Sequence, residues 1–113
     1  MKNFKLILVF TIIAAFLLAS CAKEKSYSYE VTGTSGSYSV TLQNADDNTQ
    51  QWANVGNGWT YKWSQQGKRW LYVSAQNNRS SGNVTVRILI NGKIIAENTS
   101  VGGYTIATVS GDY

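Results

Sequence analysis

The sequence predicts an all-β fold, an antiparallel sandwich of about seven short strands. Beyond residue 21, apolar and polar residues alternate at every second position, and no helical period is visible. Glycine and asparagine interrupt this alternation at short intervals, as turns between strands require. The clearest turn signal is Asn91-Gly92, because a type I′ hairpin turn needs positive φ at both of its central residues.

Short polar or glycine-rich connections separate the predicted strands. The strand over 49–55 has the weakest alternation. In chain order these strands cover residues 26–32, 37–43, 49–55, 59–64, 69–75, 84–90, 93–98 and 104–110. The most regular alternation comes from four aliphatic residues, Val84, Val86, Ile88 and Ile90. We expect this stripe to face the core, with the opposite face of the strand in water.

The N-terminus has the features of an export signal. Lys2 and Lys5 precede an apolar run over 6–19, whose 14 residues would span only roughly 21 Å as a helix. The hydrocarbon core of a bilayer is roughly 30 Å thick, so the run suits a cleaved signal better than a permanent membrane span. An uncleaved N-terminal membrane helix is the alternative.

The end of this run, Leu18-Ala19-Ser20-Cys21, resembles the lipobox of bacterial lipoproteins. The resemblance implies a signal peptide over 1–20, lipid attached to Cys21 and a tether over 21–25, followed by the β-domain over 26–113. Two or more acyl chains anchor a protein stably to a membrane. We therefore expect a lipid-anchored protein of the bacterial cell envelope, and the outer membrane is favoured because no aspartate directly follows Cys21.

The composition argues against several classes of function. The chain has no histidine and one cysteine, which removes the commonest general base and the soft ligands of zinc or copper. Without the two signal lysines the net charge of +4 falls to +2, and the remaining basic residues are scattered. A nucleic-acid binder usually has a clustered basic face. We therefore expect no enzyme activity, no cofactor, no metal and no nucleic-acid partner.

A polar loop offers one candidate cation site. Its oxygen-bearing side chains belong to Asn44, Asp46, Asp47 and Asn48, and calcium takes six to eight oxygen ligands. Residues of this type also form ordinary turns, and their spacing is not that of an EF-hand loop. The turn is the favoured interpretation.

Aromatic residues are dense in the middle of the chain: Trp52, Trp59, Tyr61, Trp63, Trp70 and Tyr72. Trp59 is expected in the core. Trp70 and Tyr72 alternate with Leu71 and Val73, so they point outward if the aliphatic residues point inward. Trp63 lies across the predicted turn over 65–68. Together with Trp63, these residues would form an exposed aromatic strip able to contact a ligand or partner. Cross-strand aromatic pairing that serves structure alone is the alternative.

Several segments together resemble the MmpS-like family, whose mycobacterial members are small extracytoplasmic accessory proteins of MmpL transporters. They are 29–34, 47–51, Trp59, 73–77, 82–88 and 91–98. The resemblance implies an immunoglobulin-like sandwich and an accessory role beside an exporter or another envelope protein. Two other hypotheses are open: a surface glycan- or adhesin-type binding module that uses Trp63, Trp70 and Tyr72, and a structural lipoprotein without a ligand.

Overall fold

The computed structural model describes residues 23–113, so the predicted signal peptide and Cys21 lie outside the described residues. Eight strands follow one another in this part of the chain. They are β1 (Lys25–Gly33), β2 (Tyr38–Gln43), β3 (Thr49–Val55), β4 (Trp59–Gln65), β5 (Trp70–Asn77), β6 (Asn83–Ile90), β7 (Lys93–Val101) and β8 (Ile106–Asp112). The described residues form no helix, and so none that could cross a bilayer.

The strands form two antiparallel four-stranded sheets that pack face to face. Sheet 1 has the order β4-β1-β6-β7 and sheet 2 the order β3-β2-β5-β8. The predicted antiparallel sandwich is confirmed, with eight strands rather than about seven. β1 and β2 lie in different sheets, and of the consecutive strands only β2–β3 and β6–β7 pair directly within the described sandwich.

The core lies between the sheets and is built from the alternating positions that the sequence predicted. Every side chain on the inner faces of β2 and β5 is buried, and so are the central aliphatic residues of β6. Val84, Val86 and Ile88 have no exposed surface, while Ile90 is half-buried at the end of the stripe. The predicted turn also forms, with φ of 52° at Asn91 and 77° at Gly92.

Three buried tyrosines form hydrogen bonds through their hydroxyl groups to other strands and loops of the sandwich. Tyr29 on β1 reaches the other sheet, where its hydroxyl donates to the carbonyl of Gln43 at 2.8 Å and accepts from the amide of Tyr72 at 3.3 Å. The Tyr27 hydroxyl donates to Gly67 O at 2.7 Å, and that of Tyr38 donates to Asn57 Oδ1 at 2.7 Å. Large apolar rings thus fill the core while their polar ends stay hydrogen-bonded.

The two open sides of the sandwich are closed differently. At one side, the aromatic rings of Trp52 on β3 and Trp59 on β4 lie 5.0 Å apart between their centroids. At the other side, β7 side chains cover the backbone of β8: Asn98 Nδ2 donates to Thr108 O at 3.1 Å and Ser100 Oγ to Ile106 O at 2.9 Å. Bonding the carbonyls of an edge strand in this way discourages pairing with another chain.

Candidate functional site

The two sheets differ sharply in charge. The strands of sheet 2 contain one charged residue, Asp112, whereas those of sheet 1 contain six: Lys25, Glu30, Lys62, Arg87, Lys93 and Glu97. On sheet 1, the Arg87 guanidinium bonds to the carboxylates of both Glu30 and Glu97, and these bonds raise the pKa of Arg87. The outer face of sheet 2 is therefore the nearly uncharged surface of the sandwich.

A row of four β5 side chains runs along the outer face of sheet 2: Trp70, Tyr72, Ser74 and Gln76. They point outward because the residues between them, Leu71, Val73 and Ala75, have no exposed surface. Trp70 is 47% exposed, while Tyr72, Ser74 and Gln76 are half-buried. The sequence prediction that Trp70 and Tyr72 face outward agrees with this arrangement.

Neighbouring strands extend the row with hydroxyl and amide groups. On β8, Ser110 lies opposite Tyr72 and Thr108 lies opposite Ser74. On β2, Thr41 pairs with Ser74, and its hydroxyl accepts a hydrogen bond from Gln51 Nε2 on β3 at 3.4 Å. Groups of this kind can both donate and accept hydrogen bonds without carrying charge.

A groove of about 510 Å³ crosses the end of this face where β5 finishes. Five polar residues line it, Ser39, Thr41, Gln51, Ser74 and Gln76, together with the apolar residues Val40, Trp52, Ala53 and Ile106. The volume falls within the roughly 300–1,000 Å³ of typical small-molecule sites. Aromatic residues at one end of the β5 row and a polar groove at the other thus form one continuous surface.

Trp63 does not join this surface. It was predicted to lie beside Trp70 across the turn between β4 and β5, but those strands do not pair with each other. Trp63 lies in sheet 1, where its ring stacks on the buried Tyr27 at 5.5 Å and packs against the core. Trp59 also packs against the core, at the aromatic side of the sandwich, as predicted.

The polar loop after β2 forms a turn, as favoured from the sequence. The side-chain oxygen of Asn44 accepts hydrogen bonds from the backbone amides of Asp46 at 2.9 Å and Asn48 at 3.0 Å. Asp47 adopts a φ of 61°, a left-handed conformation that Asp tolerates. Among the described residues, no group of three or more His, Cys, Asp or Glu side chains comes together.

A guanidinium lies where the oxygens of this loop converge. Arg69 donates to Asn44 O at 2.7 Å and to Ala45 O at 2.9 Å, and it also bonds to Gln65 Oε1 and the Asp47 carboxylate. Its side chain is only 9% exposed and lies over the ring of Trp63 at 5.6 Å. Arg69 therefore ties this loop to the connection between β4 and β5, a role that sequence reasoning missed.

Burial affects one ionisable group of the core strongly. Tyr29 has no exposed surface, and desolvation raises its pKa to about 12 despite the hydrogen bond from the amide of Tyr72. The hydroxyl therefore stays protonated at neutral pH and remains a donor to Gln43. This group joins β1 to sheet 2, directly beneath the outer-facing Tyr72.

No family model matches the sequence, and no curated protein matches it. Among solved structures, the chain is similar to vCBM60, described in the context of circular permutation between two families of calcium-dependent carbohydrate-binding modules. The sequences are 25% identical over 62% of this chain and 60% of that chain, with a TM-score of 0.40. The match thus spans less than two thirds of that module, and the function of this chain has to be argued from its own residues.

Proposed function

We propose that this protein is a glycan-binding module and that the outer face of sheet 2 is its binding surface. The observation that carries the proposal is the charge contrast between the sheets. The strands of sheet 2 present exposed aromatic, hydroxyl and amide groups with Asp112 as their sole charge. This composition supports binding of a neutral, hydroxyl-rich ligand.

The chemistry of each group on the face suits such a ligand. Trp70 and Tyr72 provide flat apolar surfaces with a polar edge, and a sugar ring has an apolar face that can lie against them. Ser74, Gln76 and Thr41 can exchange hydrogen bonds with sugar hydroxyl groups in either direction. If this face carried charged side chains, they would lose water when a neutral glycan bound and gain no opposite charge in return, which costs free energy.

The predicted anchor gives this surface an orientation. β1 begins at Lys25, four residues after Cys21. Lys25 pairs with Gln65, at the end of the sandwich where β5 also begins. The groove lies near Gln76, at the opposite end of β5. A lipid on Cys21 would therefore hold the groove on the side of the domain away from the membrane. This anchor remains a prediction, as do the envelope location and the absence of enzyme activity.

The accessory role implied by the MmpS-like resemblance also stays a prediction. No feature of the described strands singles out a transporter as a partner. The glycan-binding hypothesis is favoured over it because it accounts for a specific surface of this chain.

A glycan array probed with the full-length protein tests the proposal. We expect the wild type to bind neutral glycans and Trp70→Ala to lose most of that binding. Ile94→Ala is a matched control, because Ile94 is 49% exposed on the other sheet, close to the 47% of Trp70. Its binding should equal that of the wild type.

A second variant tests the role of charge. Ser74→Glu places a carboxylate in the middle of the β5 row, where the side chain is half-buried rather than in the core. We expect loss of neutral-glycan binding with the fold retained by circular dichroism. Wild-type protein that binds no glycan, or Trp70→Ala and Ser74→Glu variants that bind like wild type, would reject the proposed function.

A further inference from the structure

An exposed tyrosine with an unusual backbone lies just beyond the end of the β5 row. Tyr104 has a φ of 58° and is 61% exposed. It was predicted to begin the last strand, but that strand starts at Ile106, and Tyr104 lies in the turn before it. A bulky residue in the left-handed region is a conformational outlier, and such residues concentrate at functional sites.

Several contacts hold Tyr104 in this conformation. Its amide donates to Arg79 O at 3.0 Å, and its carbonyl accepts from Gln76 Nε2 at 3.1 Å. At the preceding Gly103, a Cβ atom would overlap the carbonyl of Ser80, so only glycine fits there. The turn is therefore packed closely against the loop that follows β5, and its shape is set before any ligand arrives.

The buried Asn77 strengthens the same connection. Its side-chain amide donates to Ser81 O at 2.9 Å and Gly102 O at 3.0 Å, and its side-chain oxygen accepts from the amide of Arg79 at 2.9 Å. Asn77 has no exposed surface. Two loops that are far apart in sequence are thereby joined at the end of β5, next to the groove.

Gln76 links this turn to the binding surface, because it lines the groove and also bonds to Tyr104. From Trp70 to Gln76 the β5 row covers six residue steps, or roughly 20 Å at strand spacing. Tyr104 lies beyond the Gln76 end, and Trp70 marks the other end. Trp70 and the turn that contains Tyr104 therefore lie at opposite ends of a polar row that is several sugar rings long.

We propose that the ligand is a neutral glycan chain of several sugar units, bound lengthwise along β5 between Trp70 and Tyr104. This inference rests on the proposed function and adds the length of the ligand and its direction on the surface. Asp112 lies opposite Trp70 in the pairing of β5 with β8. Its carboxylate disfavours acidic glycans at that end.

Calorimetry with oligosaccharides of increasing length tests the inference. The titrations use full-length protein in detergent and neutral gluco-, xylo- and manno-oligosaccharides from one to six units, with oligogalacturonates as the acidic series. We expect affinity to rise steadily with chain length and then level off, and acidic chains of equal length to bind at least tenfold more weakly.

Variants at the two ends distinguish a lengthwise chain from a single sugar. Trp70→Ala and Tyr104→Ala should each weaken binding of a hexasaccharide about tenfold, as removal of an aromatic contact commonly does. Tyr104→Phe keeps the ring and should bind like wild type. Ile94→Ala again serves as the matched control on sheet 1.

The outcomes separate this inference from the proposed function. Binding that depends on Trp70 but is equally tight for one sugar and six, or is unchanged in Tyr104→Ala, overturns the lengthwise chain and leaves glycan binding intact. Preference for oligogalacturonates overturns the neutral ligand. A wild-type protein that binds none of the series refutes both proposals.

Discussion

Truncation of Arg69 should destabilise the domain by about 1.5–3 kcal/mol, and the structure indicates where this free energy comes from. In Arg69→Ala, the carbonyls of Asn44 and Ala45 each lose a charged donor, together about 2 kcal/mol once water partly replaces it. Loss of the contact with the ring of Trp63 adds about 0.5–1 kcal/mol.

Two further contributions are small or opposite in sign. The ion pair with Asp47 should contribute no more than about 1 kcal/mol, because the Asp47 side chain is 72% exposed. The Nε of Arg69 is buried without a hydrogen-bond partner, so truncation also removes a penalty of about 1 kcal/mol. The sum remains destabilising, because the guanidinium donates to four oxygens while one nitrogen is unpaired.

Urea unfolding of the full-length protein, followed by tryptophan fluorescence, measures this free energy. Thermal unfolding is a second measurement. For a domain of this size each kcal/mol corresponds to about 4–8 °C in Tm, so the Tm of Arg69→Ala should be about 6–24 °C lower than that of the wild type. Arg69→Lys keeps the charge but not the planar fork of donors, and it should recover less than half of the loss.

Asp47→Asn is the control that separates carbonyl bonding from ion pairing. It should cost less than about 1 kcal/mol because the carboxylate is mostly in water. If Asp47→Asn destabilised as much as Arg69→Ala, the surface ion pair would be the main contribution. If Arg69→Ala stayed within about 0.5 kcal/mol of the wild type, the proposed role of Arg69 in joining the two loops would be wrong.

Three further predictions concern the core, the end of β5 and the N-terminus. Because burial raises the pKa of Tyr29 to about 12, the unfolded chain ionises this group first and stability falls as pH rises from 10 to 12. Ionisation of this group should lower the free energy of unfolding of the wild type by about 1.4 kcal/mol at pH 11. Tyr29→Phe lacks the group and should therefore lose less stability than the wild type between pH 9 and pH 11, as measured by urea unfolding. Parallel pH profiles of the two proteins would contradict this. Asn77→Ala leaves the carbonyls of Ser81 and Gly102 without their donor and should cost about 2–3 kcal/mol by the same assay, whereas a cost below about 0.5 kcal/mol would show that the joined loops do not need it. Intact mass spectrometry of the purified protein should find acylation at Cys21 and loss of residues 1–20, both abolished in Cys21→Ser; an intact Met1 terminus with a free thiol would refute the predicted anchor.

Local signals predicted much of this fold. Residue alternation placed Val84, Val86 and Ile88 in the core and turned Trp70 and Tyr72 outward, because side chains on a strand point to opposite faces in turn. The dipeptide Asn91-Gly92 located a hairpin because few residues tolerate positive φ. These properties depend on a residue and its immediate neighbours.

Pairing between strands could not be predicted in this way. Trp63 was assigned to the surface beside Trp70 on the assumption that β4 and β5 form a hairpin, yet each pairs with strands distant in sequence. Arg69 and Tyr104 were missed for the same reason. Arg69 bonds to Asn44 and Tyr104 to Gln76, and each of these partners lies more than twenty residues away along the chain.

The order of residues is therefore sufficient to specify an all-β chain, its turns and the inward or outward direction of most side chains, since these follow from local backbone geometry. Only the pairing of the strands into two sheets decides which outward side chains share a surface. That pairing brings the uncharged strands together in sheet 2 and the charged strands together in sheet 1. The candidate binding surface exists because long-range pairing sorts the strands, which no local signal encodes.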